Sequence, residues 1–191
     1  IQEGGIKMHP SKYLWAARAI MYKLPFGHIG NLTYMGKPCF IEGMKNIYIG
    51  NCVRIFPGIR MEAIGTGQIN IGNNVAIEQN VHITSYNGIL DIGDNVTIAA
   101  NTFITNLDHE YNDINKGVMD QGLIPGETHI GEGCFIGYGV AVQAGTVLGR
   151  HCIVGAGAVV RGIYPAYSVV AGVPARIIKQ YNTKTKKWER V

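Results

Sequence analysis

The chain's densest group of titratable residues around a histidine is the run Thr105-Asn106-Leu107-Asp108-His109-Glu110-Tyr111. Imidazole is the side chain whose proton affinity best suits removing a proton from a weak nucleophile near neutral pH, so His109 is the candidate general base. On position alone, this role and that of a solvent-facing loop histidine stand level. Asp108, Glu127 or a backbone carbonyl could each fix the ring's tautomer. Asn106 and Asp108 could line a substrate pocket beside it. So could His82, which falls outward between Val81 and Ile83, although a solvated or turn-bonded side chain fits each of these equally well. His9, His28, His129 and His151 read as ordinary polar residues. Cys39, Cys52, Cys134 and Cys152 are widely spaced, with no CxxC pair, and suggest neither a zinc site nor a disulfide framework.

The element that carries His109 is a break in a repeat. Aliphatic residues recur every six positions at Ile49, Ile55 and Met61, at Ile71, Ile77 and Ile83, and at Ile92, Ile98 and Ile104. The beat resumes through Ile130, Ile136, Val142, Leu148, Val154 and Val160. A second beat of small or β-branched residues falls four positions after many of these, as at Val53, Val75, Val96, Cys134 and Cys152. Six fits neither a helix nor a hairpin. It fits short strands joined by tight corners, three hexapeptides to a triangular coil. Gly50, Gly72, Gly93, Gly131 and Gly149 mark successive coils, and the long interval between Gly93 and Gly131 is the interruption containing His109. Five coils at the ~4.8 Å strand spacing would stand roughly 24 Å tall around a solid aliphatic interior, with Cys134 and Cys152 inside as small hydrophobes.

Composition agrees. Of 191 residues, 26 are Gly and only 16% are charged, which argues against a disordered chain and against a helix bundle. The net charge of +4 demands neither nucleic acid nor membrane; the tail from Lys179 to Val191 alone carries +4, so the rest of the chain is balanced. No run approaches the ~18 apolar residues of a membrane span, and the opening IQEGGIKMHP lacks a signal-peptide core. A cytoplasmic protein with reduced thiols is the expectation. Before the repeat, Ser11 is a candidate N-cap, and Tyr13, Ala17, Ile20 and Leu24 form a helical apolar stripe ended by Pro25. That helix should pack on the coils or on a neighbouring subunit; a lesser alternative has Trp15, Arg18 and Lys23 touching a membrane or a lipid-linked substrate.

Certain motifs add a resemblance. Ile71-Gly72-Asn73-Asn74-Val75, Ile92-Gly93-Asp94-Asn95-Val96, the run Ile130 to Gly137, Val154-Gly155-Ala156-Gly157-Ala158-Val159-Val160 and Val170-Ala171-Gly172-Val173-Pro174-Ala175-Arg176 resemble the hexapeptide-repeat acyltransferases over roughly residues 40 to 180. These fold as left-handed parallel β-helices and include galactoside and maltose O-acetyltransferases. The resemblance implies an all-β, left-handed β-helix domain over 40–175 with a loop at about 106–129. A helix and lead-in over 1–39 precede it, and a basic tail over 176–191 follows. It also implies an acetyl-CoA donor and no metal. His109 becomes the catalytic base, Gly137 to Gly139 the source of oxyanion N–H donors, and Tyr138, Ala156, Arg161, Arg176 and Lys179 the coenzyme A groove. A homotrimer is implied, with the site between subunits, no nucleic-acid partner and no expected membrane contact. The run Asp108-His109-Glu110-Tyr111 looks more like the O-acetyltransferases of cell-surface polysaccharide synthesis, so the expected acceptor is a free or lipid-linked sugar hydroxyl. N-acetylation of an amino sugar, a longer acyl donor on a carrier protein, a γ-carbonic-anhydrase-like metalloenzyme and a non-catalytic scaffold remain open at this point.

Overall fold

Residues on a six-residue beat can all be hidden only if the chain turns a corner after each one, and this is what it does. The computed structural model describes residues 9–191; the first eight residues, to which no role is assigned, lie outside the described residues. Short strands build three flat faces of a left-handed parallel β-helix. The first face holds seven parallel strands, from His28–Ile29 to Ile163–Tyr164. The second runs from Tyr34–Met35 to Ser168–Gly172. The third has six strands: Phe40–Glu42, Arg60–Ile64, His82–Tyr86, Phe103–Thr105, Ala141–Val142 and Val159–Val160. Six complete coils and part of a seventh result, one more than the repeat intervals suggest. The first coil lies inside the segment read as lead-in. Its signal is in the sequence after all, since Ile29, Met35 and Ile41 keep the six-residue spacing.

Every position on the two beats is buried, Thr102, Thr146, Cys134 and Cys152 included. Register keeps the interior in columns: on the third face Ile41 pairs with Met61, Met61 with Ile83, Ile83 with Ile104, Ile104 with Val142 and Val142 with Val160. The interior holds both cysteines as thiols, and the neighbouring Cys152 above all, and then burial, push Cys134 upward from its ordinary pKa. Corners stack as well. Asn31 N–H donates to Asn51 Oδ1 at 2.8 Å, Asn51 N–H to Asn73 Oδ1 at 2.9 Å and Asn73 N–H to Asp94 Oδ1 at 2.6 Å. The next residues in two of these corners, Asn74 and Asn95, take the left-handed backbone conformation that Asn tolerates well.

The two ends are closed differently. After the Val173–Pro174 corner, Ala175–Asn182 turns back antiparallel on the second face and pairs with Lys187–Arg190, so the basic tail is a hairpin. The first coil has no coil before it to take its carbonyls. The helix Ser11–Tyr22 packs on that coil, and Arg18 Nη1 donates to the Met35 carbonyl at 3.0 Å. Pro10, not Ser11, is its N-cap residue, with no side-chain cap bond. The buried face is also not the anticipated one. Ala19 enters the core, Trp15 packs on Tyr34 and Phe56, and Tyr22 stacks on Phe26, while Tyr13, Ala17, Ile20 and Leu24 face outward. The body offers an aromatic surface, and the wide Trp15 and Tyr22 rings fill it better than the narrower stripe would.

Ile83 is fully buried in the third-face column. Ile83→Ala should cost about 2–5 kcal/mol in thermal or denaturant unfolding, the range for a truncated core aliphatic. Ile163→Ala, at a residue 81% exposed on the first face, should stay within about 0.5 kcal/mol of wild type.

Candidate active site

The outward side chains of the third face also stand in columns. Phe40, Arg60, His82, Phe103, Ala141 and Val159 succeed one another along one column. The parallel column contains Glu42, Glu62, Thr84 and Thr105, and Gln143 and Arg161 follow the last two strands of the face. Polar groups thus line the edge from which the long excursion departs.

That excursion is a built element. Leu107–His109 pairs antiparallel with Leu123–Pro125, placing Asp108 opposite Ile124 and His109 opposite Leu123. Its neck is closed twice: Gly126 N–H donates to the Asn106 carbonyl at 2.6 Å, and Thr128 Oγ1 donates to the Thr105 carbonyl at 2.9 Å. At its far end Gln121 braces the turn, accepting from Asp113 N–H at 3.0 Å and donating to the Asp113 carbonyl at 3.1 Å. Asn106, expected at a substrate pocket, sits inside the root of this ribbon. It is fully buried, its Oδ1 accepts from Tyr86 N–H at 2.7 Å and its Nδ2 donates to the Tyr86 carbonyl at 3.4 Å. The side-chain amide replaces the backbone rung that is lost where the chain leaves the face.

His109 borders a pocket of about 230 Å³ with Phe103, Thr105, Leu107, Asp108, Gln143 and Ala144. Its Nδ1 is buried with no hydrogen-bond partner among the described residues, which leaves Nε2 as the ring nitrogen that is not fully buried. None of the anticipated orienting groups takes Nδ1. Asp108 instead accepts from the His109 backbone N–H at 2.9 Å and pairs with Arg161 at 3.2 Å; Glu127 is exposed. Asp108 thus ties the ribbon to the last strand of the face.

Below this pocket along the same face lies a cluster that sequence reasoning caught only in part. Glu62, with an 11% exposed side chain, receives two hydrogen bonds from Arg60, each 2.8 Å, and one from His82 Nε2 at 2.8 Å. Thr84 Oγ1 lies 2.9 Å from the same His82 nitrogen and 3.3 Å from Glu62 Oε2. An ionised carboxylate only accepts, so His82 donates from Nε2. Arg60 above all, and then His82, hold the Glu62 carboxyl below its ordinary pKa against the opposing effect of burial. Phe103 packs against the His82 ring at 5.2 Å. Laying the outward residues of successive coils side by side, rather than the inward ones alone, would have exposed Arg60 and Glu62 beside His82.

Of the residues expected at coenzyme A, Arg161 stands beside the ribbon at Asp108, and the other four lie elsewhere on the prism. Tyr138 and Ala156 occupy successive corners entering the third face, so they and His109 flank that face on opposite edges. Gly137 and Gly139 N–H groups are engaged by the Val154 and Ala100 carbonyls, leaving Tyr138 N–H as the donor of that stretch without a partner among the described residues. Arg176 and Lys179 are exposed on the returning strand, where Arg176 pairs with Ala171 and Lys179 with Val169.

Removing the Asn106 amide should leave the half-buried Tyr86 backbone groups unpaired at the root of the ribbon. Asn106→Ala should lower stability by about 1–3 kcal/mol in denaturant unfolding, whereas a pocket-lining asparagine would leave it nearly unchanged.

Comparison with known proteins agrees with this architecture. The model for the bacterial transferase hexapeptide (six repeats) matches residues 127–162, and that for the hexapeptide repeat of succinyl-transferase matches residues 90–106. WbbJ of Escherichia coli K12, whose name assigns it to O-acetyl transfer in lipopolysaccharide biosynthesis, is 37% identical over 162 residues, 80% of this chain and 81% of WbbJ. Galactoside O-acetyltransferase of the same organism is 30% identical over 178 residues, 93% of this chain and 74% of the relative. The solved structure of a galactoside acetyltransferase in complex with coenzyme A superposes with a TM-score of 0.66 at 24% identity, covering 94% of this chain and 76% of that one. With such relatives matched over most of their length, this chain belongs to the hexapeptide-repeat acyltransferases and is an acetyltransferase of that family.

Proposed function

We propose that the chain transfers an acetyl group from acetyl-CoA to a hydroxyl of a sugar or cell-surface polysaccharide precursor, with His109 as general base. The observation that carries this reading is His109 itself. A hydrogen-bonded ribbon holds it over a pocket with Nε2 not fully buried, at the edge of a face whose next rungs carry ionised Glu62. The family's named O-acetyl transfer and the coenzyme A complex of a relative support the donor and the reaction class.

His109 Nε2 takes the acceptor's hydroxyl proton as the oxygen attacks the thioester carbonyl. The tetrahedral intermediate then breaks its carbon–sulfur bond, and the departing thiolate recovers the proton from the imidazolium. Tyr138 N–H is the proposed oxyanion donor. Because Tyr138 and His109 lie on opposite edges of one face, a second subunit presenting its own corner would bring the two groups together. The same packing would offer an acceptor to the buried Nδ1–H. A cyclic trimer meets both needs. On the donor side, Arg176 and Lys179 are the exposed cations that would meet phosphate oxygens, whereas Arg161 is engaged by Asp108 and positions the ribbon.

Glu62 would receive hydroxyls of the acceptor, with Arg60 and His82 holding its carboxylate in place. An amine acceptor is the second reading, favoured by the same carboxylate, since an ammonium would be drawn to it; a panel of hydroxy- and amino-sugars separates the two.

His109→Ala should keep the fold and acetyl-CoA binding but lose roughly 100- to 10,000-fold in acetyl transfer, and His109→Gln should do almost as badly. Turnover within about threefold of wild type would refute the base assignment. Glu62→Gln, which keeps the side chain's shape, should raise the acceptor KM while leaving the acetyl-CoA KM unchanged; His82→Ala should follow it more weakly. A raised donor KM in either would move the acceptor site off this face.

A further inference from the structure

The N-terminal helix presents its apolar stripe to solvent. Tyr13, Leu14, Ala17, Ile20, Met21 and, just beyond the helix, Leu24 follow helical spacing along the side opposite Ala19, and no polar side chain interrupts them. Leu14 is 69% exposed, Met21 66% and Leu24 94%. An amphipathic helix on a globular body ordinarily shows the reverse arrangement.

Two further observations adjoin this stripe. Leu32, at a first-coil corner, is 84% exposed with a φ of 56°, a left-handed conformation unusual for leucine and taken by Asn74, Asn95 and Gly133 in the stacked corners of later coils. It borders a cleft of about 460 Å³ together with Ala16, Ile20 and Lys23. Charge is the other. From His9 to Ile41 there is no Asp or Glu, against Lys12, Arg18, Lys23 and Lys37. Lys12 and Arg18 flank the stripe, held against the Tyr34 ring and the Met35 carbonyl, while Lys23 and Lys37 are exposed.

A continuous apolar stripe framed only by cations matches a surface that is apolar in depth and anionic at its rim. A bilayer bearing anionic headgroups is such a surface, since it accepts apolar side chains ~5–10 Å deep beside a plane of negative charge. The helix caps the end of the prism, which a flat surface can approach, whereas a copy packed side by side would use the lateral faces. No helix of the described residues is long and apolar enough to cross a membrane, so contact would be from one side.

We infer that the N-terminal helix docks this protein on an anionic membrane surface, with Leu14, Ile20, Met21 and Leu24 entering the interface and Lys23 and Lys37 facing the headgroups. This departs from the expectation of no membrane contact because the stripe assigned to the body is the one left uncovered. Docking stands independently of the proposed acceptor. Where that proposal holds, the docked end is also the one nearest the acceptor cluster: Phe40 lies in the coil beside the helix, and Arg60–Glu62 and His82 lie on the next two rungs. A sugar carried on a lipid anchor would be delivered to that side of His109.

The test is co-sedimentation of the full chain with vesicles of phosphatidylcholine, with and without phosphatidylglycerol. Wild type should bind the anionic vesicles at least about tenfold more tightly, and added salt should weaken the binding. The triple variant Leu14→Glu, Met21→Glu, Leu24→Glu changes only exposed positions, so circular dichroism and transfer to a soluble sugar should stay as in wild type while vesicle binding falls about tenfold or more. Wild type that ignores both vesicle types, or a triple variant that binds as well as wild type, overturns the inference. A triple variant whose oligomeric size changes in sedimentation overturns it in favour of a contact between copies. Wild type that docks but transfers no acetyl group would sink the proposed function and leave the docking intact.

Discussion

Each coil is hydrogen-bonded through its backbone to the next, and the rest of the structure depends on that ladder. Gly50 N–H meets the Ile71 carbonyl, Gly72 N–H the Ile92 carbonyl and Gly93 N–H the Ile130 carbonyl, all at 2.8 Å. A parallel ladder of this kind accepts no net slip, because shifting one strand by a residue would turn its aliphatic side chain from the interior to solvent. Extra residues must therefore leave at a corner. Small surpluses lengthen the strands Arg60–Ile64 and His82–Tyr86 before the turn, while the large one leaves as the ribbon from Leu107 to Pro125.

That constraint makes the site rigid. A histidine on a free loop would be poorly placed as a base, but His109 is on a paired strand whose root is fixed by the buried Asn106 amide and whose flank is tied to Arg161 through Asp108. The same register stacks Glu62 beneath Thr84 and Arg60 beneath His82, so residues some twenty positions apart share one hydrogen-bonded cluster. Cross-coil neighbours, not sequence neighbours, are what build such a cluster.

A solenoid has two ends, and each exposes backbone groups that the ladder no longer satisfies. The C-terminal end is managed by the returning strand Ala175–Asn182 and its hairpin partner. At the N-terminal end the helix covers the first coil with Trp15, Ala19 and Tyr22, and the Arg18 guanidinium takes the Met35 carbonyl. Aromatic packing on Tyr34, Phe56 and Phe26 thereby chooses which side of the helix is inward, and a second apolar side is left outward.

The six-residue beat was legible because burial in a narrow prism admits only aliphatic or small, compact side chains at the inward positions, and every such position from Ile49 to Val160 is buried. The interruption was legible too, since a strict period makes any surplus visible, and His109 stood out within it. The first coil was also written in the chain, at Ile29, Met35 and Ile41, but it shows only once the repeat is extended backward. Other features were decided by tertiary structure alone. Asn106 reads as a pocket residue until the departing chain leaves Tyr86 short of a partner, and Arg60 and Glu62 read as surface charges until register sets them against His82. The helix has apolar residues all round, so periodicity could not choose its buried side; the aromatic surface it meets did. Periodicity reports what a residue's own strand or helix requires, whereas a site depends on which coil lies beside it, and only the folded register sets that.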